Sequence, residues 1–176
     1  TATPAVYADG IRLNEYLPDP ASDWNGDGTA NLEDEYIELY NANDAAVDVG
    51  GWQVDDVDDT RHRTPDGSPI YTLPQGSVIP ARGWLIIFRS ESGIALNNDG
   101  DQVRLLYPDG SAAETAEYAG SRNDLAFSKT VDGGDTWSDS YPPSPGASNQ
   151  PGPTATPTPT ATPAVYADGI RLNEYL

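Results

Sequence analysis

Asp23-Trp24-Asn25-Gly26-Asp27-Gly28-Thr29-Ala30-Asn31-Leu32-Glu33-Asp34 runs directly into Glu35-Tyr36-Ile37-Glu38-Leu39-Tyr40-Asn41, so an oxygen-rich turn feeds a segment of period two. In that segment Ile37 and Leu39 share one face and Glu38 takes the other, the pattern of a half-buried strand. A turn that opens a strand rather than an amphipathic helix sets the expectation of an all-β chain. The stretches on either side agree with it. Ile11-Arg12-Leu13-Asn14-Glu15 alternates, residues 51–54 continue the pattern, and Trp84-Leu85-Ile86-Ile87-Phe88 is an unbroken apolar run expected to be a central strand buried on both faces. Residues 97–101 and 108–110 are turns by their Asn, Asp and Gly content, and they bound an alternating strand over 102–107. With residues 114–118 and 126–131 the count reaches roughly seven or eight strands at spacings of about 8 to 15 residues, the rhythm of a β-sandwich.

The turn itself carries the most specific chemistry. It fits D-x-[DN]-x-[DN]-G, with oxygen-bearing Asp23, Asn25, Asp27, Asn31 and Asp34 at loop positions 1, 3, 5, 9 and 12 and Gly28 at position 6. A hard divalent cation takes about six to eight oxygens, and residues two apart on a tightly curled backbone turn their side chains to the same point. Thr29 offers its carbonyl at position 7. The expected ligands of a structural calcium ion are therefore Asp23, Asn25, Asp27, Thr29, Asn31 and Asp34. Aspartate at position 12 resembles dockerin loops more than the usual EF-hand glutamate, but dockerins pair two such loops with helices, and here one loop meets a strand.

Composition limits the function classes. The net charge is -19, with Lys129 the only lysine, so nucleic acid and anionic lipid are repelled and neither is an expected partner. Without cysteine there is neither a disulfide framework nor a thiolate site. No apolar run is long enough to cross a membrane as a helix, and membrane insertion is not expected.

The residues Thr1–Leu17, TATPAVYADGIRLNEYL, return unchanged as Thr160–Leu176, a period of 159 residues given by the offset between Thr1 and Thr160. An unchanged period of that length reads as one unit of a tandem array entering the next, or as a terminal strand supplied twice. Between the copies the chain turns proline-rich from Tyr141 onward, and such a stretch favours an extended, semi-rigid conformation of about 3.1 Å per residue. The expected organisation is a sandwich over 1–149 with its core at about 11–149, a Pro/Thr linker over 150–163, and the repeated strand within 160–176. The assembly strand is then Ile170, Arg171, Leu172, Asn173, Glu174, Tyr175 and Leu176. A Thr/Pro connector of this kind spaces surface domains, so an extracellular or cell-surface location is expected.

Other constellations are weaker. Asp55-Asp56-Val57-Asp58-Asp59 reads as a solvated acidic loop rather than a second metal site. His62, the only histidine, stands between Arg61 and Arg63 with no G-x-S-x-G elbow in the chain, so a Ser/His/Asp triad is not expected. Tyr36, Tyr40, Trp52, Trp84 and Trp137 allow a sugar-stacking platform, although Trp52 and Trp84 sit inside strand patterns that favour the core.

Taken in order, Leu13-Asn14-Glu15, the 23–41 stretch, Gly51-Trp52, PQGSVIPARGWLIIF, LNNDGDQVRLLYPDG, SKTVDGGDTW and SPGASN resemble a bacterial lamin tail domain over about residues 11–149. The resemblance implies an immunoglobulin-like β-sandwich without enzymatic activity, with a dockerin/EF-hand-like calcium loop inserted at 23–34. Neither the coiled-coil rod nor the nuclear targeting of animal lamins carries over. The expected function is a non-catalytic structural module of an extracellular, repeat-built filament or surface assembly, its partner being identical neighbouring units. The alternative is a calcium-stabilised adhesion or carbohydrate-binding accessory module of a secreted protein.

Overall fold

A computed structural model describes residues 7–56 and 69–152. In chain order the elements are β1 (Ile11–Leu17), a single 3-10 turn (Leu32–Asp34), β2 (Tyr36–Asn41), β3 (Val47–Asp48), β4 (Gln53–Asp55), β5 (Tyr71–Thr72) and β6 (Val78–Ile79). They continue with β7 (Trp84–Phe88), the four-residue helix α1 (Arg89–Ser92), β8 (Asp101–Leu106), β9 (Ala112–Tyr118), β10 (Ala126–Lys129) and β11 (Trp137–Tyr141). A five-stranded sheet in the order β11-β10-β1-β2-β7 faces a four-stranded sheet in the order β5-β4-β8-β9, and β3 and β6 form a small ribbon. Every pairing is antiparallel, and the arrangement is that of an immunoglobulin-like sandwich.

The core follows from the period-two pattern. Leu13, Tyr16, Ile37, Leu39 and Ile87 face inward from the larger sheet, and Val54, Val103, Leu105 and Ala116 meet them from the smaller one. Trp52, only 3% exposed, closes one end beside Val49 and Leu73. Arg104 alternates outward from β8 and grips Asp55 through both carboxylate oxygens, at 2.8 and 2.7 Å. Asp55 thus belongs to a structural pair, while Val57, Asp58, Asp59 and His62 lie outside the described residues.

Three features depart from the sequence expectation. Trp84–Phe88 forms a strand, but at the edge of its sheet rather than the centre. Its outward side chains are apolar because they are covered locally: Trp84 lies against Tyr40 and Phe88 against Tyr36, each with ring centres 5.7 Å apart, and a Cβ added at Gly146 would stand 3.4 Å from Ile86 Cδ1. Secondly, β1 and β2 are buried on both faces rather than half-buried. Thirdly, the proline-rich stretch does not begin as a spacer, because residues 142–149 fold back as a strap over the outer face of the larger sheet.

Because the sandwich rests on the central strands of both sheets, Leu105→Ala in β8 should lower unfolding stability by about 2 to 5 kcal/mol, whereas Val78→Ala, half exposed in β6, should stay within about 0.5 kcal/mol. Urea unfolding followed by tryptophan fluorescence checks both.

Candidate functional site

The loop between β1 and β2 curls through Asx turns. Asp23 accepts from the N–H of Gly26 at 2.8 Å and of Gly28 at 2.9 Å, Asn25 from Asp27 at 2.9 Å, and Asp27 from Thr29 at 2.8 Å. Gly26 and Gly28 take φ of 77° and 94°, where a side chain would be strained although nothing crowds the position. Asn31 caps the 3-10 turn by accepting from Glu33 N–H at 2.6 Å. Asp34 is fully buried and closes the loop from behind: its Oδ1 accepts from Trp24 and Asn25 N–H at 2.8 and 2.9 Å, and its Oδ2 from Asn31 N–H at 2.8 Å.

The loop is fastened at both ends. Asp124 receives the Trp24 indole N–H at 2.9 Å together with the Ser22 hydroxyl and the N–H groups of Ala21 and Ser22. Burial opposes ionisation of Asp124, but these donors outweigh it and hold its carboxyl below the usual range. Past the loop, buried Glu35 accepts from Arg89 at 2.7 Å and from Leu96 N–H at 2.7 Å, and desolvation pushes its carboxyl up to about 7.

Five of the six residues expected to hold calcium thus line one curled, solvent-facing loop, with Asp34 beneath it. The donors are all oxygens and suit a hard cation. Among the described residues no group of three or more His, Cys, Asp or Glu converges as a metal cage, and the Thr29 carbonyl accepts from Asn31 Nδ2 at 3.2 Å.

The second feature of the site was not legible in the sequence. β1 carries a bulge, for Leu13 opposes Leu39 while Glu15 opposes Glu38, which leaves Asn14 as the extra residue. The bulge shifts the phase of the strand, so Leu13 and Tyr16 both reach the core while Asn14 and Glu15 turn to the outer face. The Leu13 N–H is taken by Glu114 Oε2 of the opposite sheet at 2.9 Å; Glu114 Oε1 pairs with nearly buried Lys129 at 2.8 Å, whose ammonium lies 4.3 Å from the Trp137 ring centre.

Glu15, wholly buried, accepts from the Tyr36 hydroxyl, from Ser128 Oγ at 2.6 Å, and from Ser144 N–H and Oγ at 2.7 and 2.9 Å. Asn14 donates to Glu38 Oε1 at 2.9 Å and Asp132 Oδ1 at 3.2 Å, and its Oδ1 accepts from Gly133 N–H at 3.0 Å. Glu38 Oε2 accepts from Gly146 N–H at 2.6 Å, and Asn149 donates to the carbonyls of Asn14 and Lys129 at 3.2 and 3.0 Å. Strand, neighbours and strap are thereby one polar unit. Ahead of β1, Tyr7 stacks on Tyr107 at 4.9 Å, and Gly10, at φ 84°, lies so close to Asn43 that a Cβ would stand 2.9 Å from its side chain.

Burial is the main influence on Glu38 and pushes its carboxyl up to about 8, against the hydrogen bonds from Asn14 and Gly146, with Glu15 and Asp132 adding repulsion. Burial thus makes this carboxyl easier to protonate than one in water.

A family model described as Lamin Tail Domain matches residues 5–120. No curated protein matches the chain.

Since Glu38 and Glu35 bind protons more tightly folded than unfolded, their contribution to stability is fully present below about pH 4.5 and is lost as pH rises through about 7 to 8. Urea unfolding across pH 5 to 8 should show stability falling, and Glu38→Gln should flatten that slope. An unchanged slope in the variant would remove Glu38 as its source.

Proposed function

Given that the chain belongs to the lamin tail domain family, we propose that it is a non-catalytic structural module of an extracellular, repeat-built filament or surface assembly, joined head to tail through the duplicated strand and stiffened by calcium. The observation that carries this reading is the place of β1. It is paired to β10 on one side and β2 on the other, so it is an integral strand and not an appendage. A sequence that repeats it whole, with Tyr166 and Gly169 matching Tyr7 and Gly10, supplies what a neighbouring sheet needs for main-chain pairing and alternate side-chain pockets. Contacts of this kind are heterologous and propagate along one direction.

Calcium held by Asp23, Asn25, Asp27, Thr29, Asn31 and Asp34 would tie the β1–β2 connection and lower the repulsion within a chain of net charge -19. The family is one of immunoglobulin-like structural domains, and the buried carboxylates of the larger sheet are bound by backbone and hydroxyl donors, which suits a structural role.

A calcium-stabilised adhesion or carbohydrate-binding accessory module is the alternative.

Electron microscopy of the purified protein at several concentrations, with and without a calcium chelator, separates these readings. Fibres with an axial repeat near one domain plus connector are expected, and they should loosen on chelation. Single dispersed particles under every condition would overturn strand-mediated assembly and leave the accessory module, for which sugar binding is the next measurement.

A further inference from the structure

Resting on the strand-joining reading above, we propose that the β1 slot chooses its strand by the buried polar pair at its bulge, so that Asn173 and Glu174 are the specificity determinants through which the second copy engages a domain. The apolar half of the slot is a poor discriminator. Ile11, Leu13 and Tyr16 enter an aliphatic and aromatic core, and such cores accept many side chains of similar volume. Any alternating strand could satisfy that half.

The polar half is different. Glu15 is met by donors from three separate elements, Tyr36 of β2, Ser128 of β10 and Ser144 of the strap. An entering strand with an apolar residue there leaves these donors buried without partners, which costs more than the contact they gave. The Asn14 position is equally demanding, because the Gly133 N–H needs an acceptor there while Glu38 and Asp132 need a donor, and an amide is the short side chain offering both. Register is read at the same place. A strand without the extra residue would carry its apolar set to the wrong face beyond the bulge. Leu-Asn-Glu-Tyr-Leu occurs in this chain at residues 13–17 and 172–176 and nowhere else, so two segments of the sequence carry the residues these demands call for. The penalty against other strands is an unmet polar group, which is how specific sites reject wrong partners.

The test uses the full chain and thermal unfolding followed by circular dichroism and tryptophan fluorescence. Leu13→Asp spoils the first copy, and a cooperative transition should persist because residues 170–176 take the slot. Leu13→Asp with Leu172→Asp should lose the transition. Leu13→Asp with Asn173→Leu, or with Glu174→Leu, should lose it as well although every apolar position is intact, whereas Leu13→Asp with Leu172→Ile should keep it. If Leu13→Asp alone is as unfolded as the double Asp variant, the second copy does not fill the slot, and both the strand-joining reading and this inference fall. If Leu13→Asp stays folded, the double Asp variant does not, and the Asn173 and Glu174 variants stay folded, joining stands and selection by the polar pair is overturned; if the double Asp variant also stays folded, the first copy keeps the slot and both readings fall.

Discussion

The bulge at Asn14 is the constraint on which the rest of the larger sheet depends. One extra residue in a central strand turns a carboxylate and an amide away from the core and into a face that is then sealed. A buried carboxylate without partners is prohibitively costly, so the chain must bring donors to it. Those donors come from β2, β10 and the strap, which is why a proline-rich segment far along the chain is held against the first strand. The strap in turn covers Ile86 and allows an edge strand to be apolar outward. Fold and polar network are thus one solution.

Much of this was open to reading in the sequence. The strand at 36–41, the strand expected over 102–107 and found at 101–106, and the shared face of Ile37 and Leu39 followed from alternation, because the inward positions are apolar and their spacing is unbroken. The curl of residues 23–34 was legible from spacing alone, since Asp, Asn and Gly have few other reasons to alternate so closely. The bulge was not legible. A period-two reading turns Asn14 outward with Arg12 and puts Glu15 on the face of Ile11 and Leu13, and only the pairing with Leu39 and Glu38 reveals a shifted phase. The short strands β3, β5 and β6 were missed because two residues make no period.

Proline content and the expected domain boundary at 149 pointed different ways over residues 142–149. Proline there suggested a spacer, yet the docking groups are Ser144, Gly146 and Asn149, small residues whose backbone or short side chains reach a buried carboxylate without bulk. The contrast with the plain Thr/Pro/Ala repeat after residue 152 was the available signal. Likewise Trp84–Phe88 was readable as a strand but not as an edge, because apolarity reports burial and not position in the sheet.

The strap ends at Asn149, beside the middle of the very strand with which the domain begins. Tension drawn through residue 152 therefore reaches the strap before it reaches the sheet. The strap is held by separate side-chain contacts at Ser144, Gly146 and Asn149, which can break in succession, whereas β1 is sewn along both edges. The eight residues of the strap, fully extended, span at most about 26 to 29 Å.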